Sequence, residues 1–210
     1  MPLAGAAADN GVKADAPREK LAALKPAFVK PHGTHTAANS SFLTDGASAA
    51  LLMSEARARA AGHAPKARIV DWIFVAADPR EELLLGPAYA VTRLLARNKL
   101  AARDVDVWEI HEAFAGQVLA NLRALDSAAF VTGKVGLPEA ARVGALPMER
   151  VNAWGGSLAL GHPFGATGVR LLTTAANRLI KDGGRFAVLA ACAAGGLGHA
   201  MLIERYVAGK

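Results

Sequence analysis

Residues 186–206, FAVLAACAAGGLGHAMLIERY, decide the fold of this 210-residue chain. The apolar run from Phe186 to Ile203 is long enough to raise the question of a membrane span, which needs about 20 residues. Glycines interrupt the run near its middle, at Gly195, Gly196 and Gly198. Glycines between two apolar segments are typical of a turn that joins two strands. The stretch therefore predicts two buried strands and a glycine turn, not a transmembrane segment.

Upstream of this hairpin, strand patterns alternate with helix patterns. Strands are predicted at 47–53, 68–77 and 105–110, and helices at 54–61, 86–98, 112–125 and 166–181. The 68–77 segment, RIVDWIFVAA, is dense in the β-branched and aromatic residues that strands favour. Strands that alternate with helices and end in a hairpin predict an α/β fold, with a mixed five-stranded sheet and helices on both faces.

The first 36 residues have a different character from the rest of the chain. They are rich in Ala, Pro, Lys and Asp, and turn formers such as Asn10-Gly11 interrupt any regular element. We predict an extended lead-in at 1–36, with at most a short helix at 18–24, and one compact domain at 37–210. The first residues lack a basic region followed by a long apolar core, so we expect no signal peptide and a cytoplasmic location.

The net charge of +6 and the isoelectric point near 9.8 suit an anionic partner. The basic residues of 57–68 and 93–103 are sparse and are not interleaved with aromatic residues, which disfavours a nucleic-acid-binding domain. A small molecule that carries phosphate remains open. Cys192 is the only cysteine, so the chain cannot form an internal disulfide. We expect no metal site.

Three loop segments carry the candidate chemistry. They are His111–Ala115 (HEAFA), 152–163 (NAWGGSLALGHP) and 192–198 (CAAGGLG). Each segment places a titratable side chain beside a helix start or a glycine turn, where free backbone N–H groups can stabilise negative charge. A lone buried cysteine is usually inert, and His162 alone could be a core histidine with one hydrogen bond. Only the combination favours an active site.

The motifs resemble those of the thiolase family. NAWGGSLALGHPFGATG (152–168) resembles the family signature, CAAGGLGHAMLIER (192–205) its C-terminal active-site segment, and NSSFLTDGASA (39–49) its coenzyme-A-contacting loop. Their order and spacing also agree, and the similarity runs from about Asn10 to the C-terminus. HEAFA is similar to the branch that includes the β subunit of the fatty-acid oxidation trifunctional complex and its bacterial relatives. The resemblance implies a thiolase C-terminal domain.

The resemblance also implies catalytic roles for Cys192, His162 and His111. Cys192 would remove the α-proton in condensation and protonate the leaving acetyl-CoA carbanion in thiolysis. A thiol pKa near 8.5, lowered further by neighbouring dipoles, would suit both roles. His162 would polarise the acyl thioester oxygen and help to activate the nucleophile. His111 takes the place of an asparagine that holds a water in the oxyanion site, and an imidazole N–H can donate equally well.

Substrate contacts follow from the same likeness. Ser41 matches a serine that contacts coenzyme A, and Phe114 matches an aromatic residue that lines the pantetheine channel. Ala194 stands where many thiolases have a glycine whose backbone N–H belongs to a second oxyanion hole, and the alanine retains that N–H. The resemblance implies coenzyme A and acyl-CoA as substrates, with no permanently bound cofactor.

The nucleophile of the family is a separate cysteine in the N-terminal half, where the acyl-enzyme forms. With Cys192 assigned as acid and base, this chain has no cysteine left for that role. Three interpretations stay open: a component of a 3-ketoacyl-CoA thiolase of fatty-acid β-oxidation, a non-catalytic acyl-CoA-binding module, and a truncated remnant. The expected partners are further copies of the chain, a thiolase N-terminal half, or a multifunctional β-oxidation α subunit. We expect the isolated chain to be inactive.

Overall fold

A mixed sheet organises the computed structural model, which describes residues 8–13 and 15–208. Its strands are β1 (Ala67–Ala76), β2 (Val107–Ile110), β3 (Phe186–Ala193) and β4 (Leu197–Arg205). They lie in the order β1-β4-β3-β2, with β2 parallel to β3 and the other pairs antiparallel. The helices are α1 (Arg18–Ala22), α2 (Glu55–Ala60), α3 (Gly86–Asn98), α4 (Ala115–Leu125), α5 (Ala128–Phe130), α6 (Ser157–Leu160) and α7 (Phe164–Asp182).

The prediction of a fifth strand is wrong. Within the described residues the sheet has four strands, and the segment 47–53 makes no strand pairing. Leu51 and Leu52 are 72% and 65% exposed. An apolar composition favours a strand only where another strand offers free backbone groups, and this segment has no such partner in the described chain. The helix expected after it does form, and the Ser54 hydroxyl accepts a hydrogen bond from the backbone N–H of Arg57 at 3.3 Å.

Helices cover both faces of the sheet, as predicted. Successive strand residues point to opposite faces, so each strand supplies two cores. Trp108 and Val188 are buried in the core beneath α3. Val107 and Leu189, one residue away along each strand, are buried in the core beneath α7. None of the described helices has both the length and the apolar character to cross a membrane.

The predicted glycine turn joins β3 to β4. Gly195 and Gly196 have φ angles of 93° and 79°, a left-handed conformation that glycine adopts at little cost. A Cβ on Gly196 would also overlap the backbone oxygen of Ala77. The terminal hairpin is therefore confirmed. The division of the chain at residue 36 stays a prediction.

A buried ion pair fixes α7 on the sheet. The guanidinium of Arg178 donates from Nη1 to Oε1 of Glu109 at 2.7 Å and from Nη2 to the backbone oxygen of Arg150 at 3.1 Å. Both side chains are almost completely buried. Burial raises the pKa of Glu109, and the hydrogen bond from Arg178 opposes that rise. The ion pair thus joins β2, α7 and the loop before residue 152.

We predict that removing one partner of this ion pair lowers the free energy of unfolding more than removing both partners does. Glu109→Leu leaves the Arg178 charge buried without its partner, which should lower the free energy of unfolding by about 3–5 kcal/mol. The double variant Glu109→Leu/Arg178→Met removes both charges and should recover much of that loss. Urea unfolding of the three chains measures the difference. A double variant as unstable as Glu109→Leu would contradict the prediction.

Candidate active site

The candidate site lies at the carboxyl ends of the parallel strands β2 and β3. His111 follows β2 directly, and its backbone N–H donates to the oxygen of Ala190 in β3 at 2.8 Å. Ile110 pairs with Ala190, and Cys192 lies two residues further along β3. Ligands and reactive groups gather at this edge in α/β sheets. His111 and Cys192 are thus carried to the same edge on neighbouring strands.

The two predicted histidines are stacked. The ring centroids of His111 and His162 lie 4.1 Å apart, with 39° between the ring planes. The backbone N–H of His162 donates to Thr44 Oγ1 at 3.1 Å, which places the loop after Ser41 beside it. Gly161, with a φ of 87°, allows this approach, because a Cβ there would overlap the Thr44 side chain. Residues far apart in the chain, 44, 111 and 162, therefore meet at one place.

Asn152 attaches the loop of His162 to β2. Its side-chain amide donates to the backbone oxygen of Ile110 at 2.8 Å and accepts from the backbone N–H of Ile110 at 2.8 Å. The side chain therefore pairs with the strand as a neighbouring backbone would. Asn152 has a φ of 45°, a left-handed conformation that asparagine tolerates better than most residues.

Glu112 fixes the same loop through two further hydrogen bonds. Its carboxylate accepts from Asn152 Nδ2 at 2.6 Å and from the backbone N–H of Leu158, in the first turn of α6, at 3.0 Å. A carboxylate is favoured there because the first N–H groups of a helix have no partner within the helix. Gly156 is required beneath it, since a Cβ would overlap the carboxylate. Glu112 and Asn152 together place α6 beside His111.

Each imidazole has its own hydroxyl partner. Nδ1 of His111 lies 2.9 Å from Oγ of Ser157, and Nδ1 of His162 lies 2.7 Å from Oγ1 of Thr167. Arg170, one helical turn further along α7, donates from Nη2 to the Ser157 oxygen at 3.2 Å. The Thr167 hydroxyl also contacts the backbone oxygen of Pro163 at 3.2 Å. Both rings are thereby held at Nδ1.

The environment keeps both imidazoles neutral. The pKa of His111 is lowered to about 3, first by burial and then by repulsion from the imidazole of His162, if that is protonated, and from the guanidinium of Arg170. The pKa of His162, which is less buried, is lowered by burial and by Arg170. A buried ring loses the hydration that would stabilise its cation, and a neighbouring guanidinium repels it. Both rings can therefore serve as neutral hydrogen-bonding groups at ordinary pH.

The thiol of Cys192 behaves differently from the sequence-based expectation. Burial raises its pKa to about 11, because the thiolate would lose its hydration in this surrounding. The expectation that neighbouring dipoles lower the pKa towards neutrality is wrong for this chain, since desolvation outweighs them. Cys192 is therefore protonated at neutral pH, in the form that can give up a proton to a strong base.

Each of the three predicted substrate-contacting residues has different neighbours near this edge of the sheet. The backbone N–H of Ser41 donates to the oxygen of Ala113 at 2.9 Å, which places Ser41 next to Phe114. Phe114 packs edge-on against His35 and Phe28, with centroids 5.1 and 6.0 Å apart. Ala194 is exposed in the turn between β3 and β4. Their roles towards coenzyme A stay predictions.

Sequence reasoning missed several residues that shape the site. They are Thr44, Glu112, Asn152, Ser157, Thr167 and Arg170. Most of them lie within the quoted motifs or directly after them, so their closeness to the histidines in sequence was a usable signal. Within the described part of the chain, no group of three or more His, Cys, Asp or Glu side chains is placed to hold a metal ion.

Family models and known proteins match most of the chain. Residues 63–205 match the family model described as "Thiolase, C-terminal domain", and residues 5–56 match "Thiolase, N-terminal domain". The chain is 58% identical over 198 residues to the rat protein named "Trifunctional enzyme subunit beta, mitochondrial", covering 94% of this chain and 41% of that protein. A Caenorhabditis elegans "Probable 3-ketoacyl-CoA thiolase" is 59% identical over 94% of this chain and 44% of its own length.

A solved structure shows the same fold. The crystal structure of human mitochondrial 3-ketoacyl-CoA thiolase in complex with CoA superposes with a TM-score of 0.77 at 32% identity, covering 95% of this chain and 45% of that one. The chain belongs to the thiolase family. It spans less than half the length of the relatives that it matches.

We predict that His111 makes the fold sensitive to acid. In the unfolded chain its imidazole takes up a proton near the ordinary pKa of 6.5, whereas in the folded chain it does so only near 3. The unfolded state binds more protons between these values, so the free energy of unfolding should fall as the pH drops below 6.5. Urea unfolding at a series of pH values should show that His111→Asn loses less stability on acidification than the parent, by more than about 1 kcal/mol.

The control for this experiment is His32→Asn, which removes an exposed imidazole and leaves the buried ones in place. This variant should retain most of the parent's dependence on pH. Equal acid sensitivity in the parent and in His111→Asn would contradict the prediction.

We also predict that Cys192 reacts slowly with iodoacetamide. With a thiol pKa of about 11, the thiolate fraction near neutral pH is about two orders of magnitude below that of a free cysteine. The alkylation rate of the folded chain, followed by mass spectrometry, should therefore be at least about a hundredfold below that of the urea-unfolded chain. Equal rates in the two states would show that the thiol is not protected by the fold.

Proposed function

We propose that this chain supplies the acid/base and oxyanion half of a 3-ketoacyl-CoA thiolase of fatty-acid β-oxidation. The observation that carries the proposal is the stacked, neutral pair of His111 and His162 at the edge where β3 carries Cys192. Neutral imidazoles donate to a developing oxyanion and accept a proton from a thiol without a prior change of charge. Acyl transfer through a thioester requires both actions.

In thiolysis the nucleophile is a cysteine thiolate from the N-terminal half. It attacks the 3-keto carbon, the bond between C2 and C3 breaks, and the electron pair remains on C2 of acetyl-CoA as a carbanion. Cys192 protonates C2 from its thiol, and the shortened acyl chain stays on the nucleophile as a thioester. A second coenzyme A thiol then takes the acyl group, and its proton restores Cys192. His162 and His111 hold the thioester oxygen through these steps.

The raised thiol pKa sets the resting state of Cys192 in the proposed reaction. A thiol with a pKa of about 11 is protonated at rest and is ready to protonate a carbanion, which is the step that thiolysis needs. Condensation needs the thiolate first, and burial opposes its formation. Because the same group serves both directions of a reversible reaction, the concentrations of substrates and products set the direction, and we propose coenzyme A and 3-ketoacyl-CoA as substrates, in the cytoplasm.

A partner completes the catalytic site. The relatives are more than twice the length that this chain covers, and the resemblance assigns the nucleophile to the N-terminal half. A cavity of about 580 Å³ lies between 49–53, the start of β1 and α7, apart from the histidine pair. Leu51 and Leu52 are exposed beside it. This apolar surface suits the remainder of a thiolase N-terminal domain, and a β-oxidation α subunit and further copies of the chain are the other proposed partners.

The test combines the chain with a separately expressed thiolase N-terminal half that carries the nucleophilic cysteine. With acetoacetyl-CoA and coenzyme A, the chain alone should show no turnover, and the combination should cleave the substrate. Cys192→Ser in the combination should slow cleavage by about a hundredfold to ten-thousandfold, the range for general acid–base catalysis. His32→Asn, an exposed histidine outside the site, is the matched control and should retain the parent rate.

Two other outcomes would replace the proposal. Cleavage by the chain alone that survives Cys192→Ser would overturn both the role of Cys192 and the need for a partner. Heat of coenzyme A binding in calorimetry, with no turnover in any combination, would favour a non-catalytic acyl-CoA-binding module. Aggregation of the chain without either property would favour a truncated remnant with an uncovered apolar surface.

A further inference from the structure

Ser157 is a completely buried hydroxyl between an imidazole and a guanidinium. Its Oγ lies 2.9 Å from Nδ1 of His111 and accepts from Nη2 of Arg170 at 3.2 Å. The side chain has no exposure to solvent. A hydroxyl has one hydrogen to donate, and a buried hydroxyl hydrogen without an acceptor is costly. The direction of the contact between Ser157 and His111 is therefore determined by where that hydrogen can go.

Only one acceptor is available for the Ser157 hydrogen among residues 8–13 and 15–208. Arg170 carries hydrogens on every guanidinium nitrogen, so it can only donate to Oγ. Nδ1 of His111 is the other hydrogen-bonding atom in reach of that oxygen in this part of the chain. If Nδ1 carried a hydrogen, two donors would face the serine oxygen and the hydroxyl hydrogen would have no acceptor. Nδ1 must then be the acceptor, and the ring hydrogen lies on Nε2.

We propose that Arg170 and Ser157 are positioning residues that fix His111 in the Nε2–H tautomer. Arg170 donates to a lone pair of the serine oxygen, Ser157 donates to Nδ1, and the ring hydrogen is left on Nε2, which has no hydrogen-bond partner among the described residues. In the proposed function, on which this meaning rests, that N–H donates to the thioester oxygen. His111 can then stand in place of the asparagine that many thiolases have there, because its tautomer is set in advance.

Several properties of Arg170 suit it to the role of donor to Ser157. Nε and Nη1 of Arg170 are buried and have no hydrogen-bond partner within the described residues, so Ser157 is the acceptor of this side chain there. The charge of Arg170 also lowers the pKa of both imidazoles, which disfavours a doubly protonated ring. A donor that cannot lose its proton keeps the direction of the contact constant with pH.

His162 is held by a separate partner and provides an internal control. Its Nδ1 contacts Thr167 and not Ser157, although its ring is stacked on His111. Thr167→Val has nearly the shape of threonine and removes only the hydroxyl that contacts His162. This variant should change the ring-nitrogen signals of His162 and leave the tautomer of His111 as it is.

The experiment is nitrogen NMR of the whole chain labelled with ¹⁵N in its histidine rings, without substrate. In each ring the protonated and unprotonated nitrogens resonate far apart, so the ratio of the two tautomers of His111 is read directly. We expect His111 to be protonated at Nε2 in the parent. Ser157→Ala should lower the ratio of the Nε2–H to the Nδ1–H form by roughly tenfold, because the hydroxyl donor is lost.

Two variants of Arg170 test its contact with Ser157. They also provide a second test if Ser157→Ala does not fold. Arg170→Met should lower the same ratio, and Arg170→Lys, which retains a charged donor, should restore it towards the parent value. If Ser157→Ala loses the dispersed amide spectrum of a folded protein, this pair carries the test. A parent chain protonated at Nδ1 of His111, or a ratio that is unchanged in both Ser157→Ala and Arg170→Met, would overturn the proposal.

The result is independent of turnover. A reversed tautomer would reject the role of Ser157 and Arg170, while cleavage by the combined halves would still support a thiolase. Absence of cleavage with the expected tautomer would reject the proposed function, and the positioning contact would stand.

Discussion

The pairing of the Asn152 side chain with the backbone of Ile110 is the contact on which the site depends. It joins a long irregular loop to the end of β2, so the start of the loop has a fixed position along that strand. Glu112 then fixes the first turn of α6 from the same end of the strand. Because α6 has a single turn, Ser157 at its start and His162 just after its end both reach His111. The Asn152 amide thus continues, one step further along β2, the parallel bridge that Val151 makes with Trp108.

Burial sets the protonation states of the whole edge. Desolvation lowers the pKa of the imidazoles of His111 and His162 and raises that of the thiol of Cys192. The effects have opposite signs because one group gains charge on protonation and the other on deprotonation, but each favours the neutral form. A permanent positive charge near the histidine pair is that of Arg170, whose guanidinium contacts Ser157. The two imidazoles and the thiol at this edge are thus neutral, whereas the guanidinium that contacts the Ser157 hydroxyl is charged.

Much of this arrangement was predictable from the sequence, and the failures have clear causes. The hairpin, the helices on both faces and the family follow from local patterns: glycines between apolar runs, alternation along strands and quoted motifs. The segment 47–53 was assigned wrongly because its apolar residues do not reveal whether a partner strand exists. Ser157 and Arg170 escaped notice because their importance comes from contacts with His111, which is distant in sequence. The pKa of Cys192 was misjudged because burial is a property of the packed molecule.

The protonated state of Cys192 has a consequence for the lifetime of the protein. Peroxide attacks thiolates, and a thiol that is rarely ionised is slow to become a sulfenic acid. In the proposed function, oxidation of this sulfur would remove the thiol proton that is delivered to carbon until the sulfenic acid is reduced again. Because the fold buries the sulfur and raises its pKa, this cysteine resists oxidation better than an exposed thiol with a low pKa would.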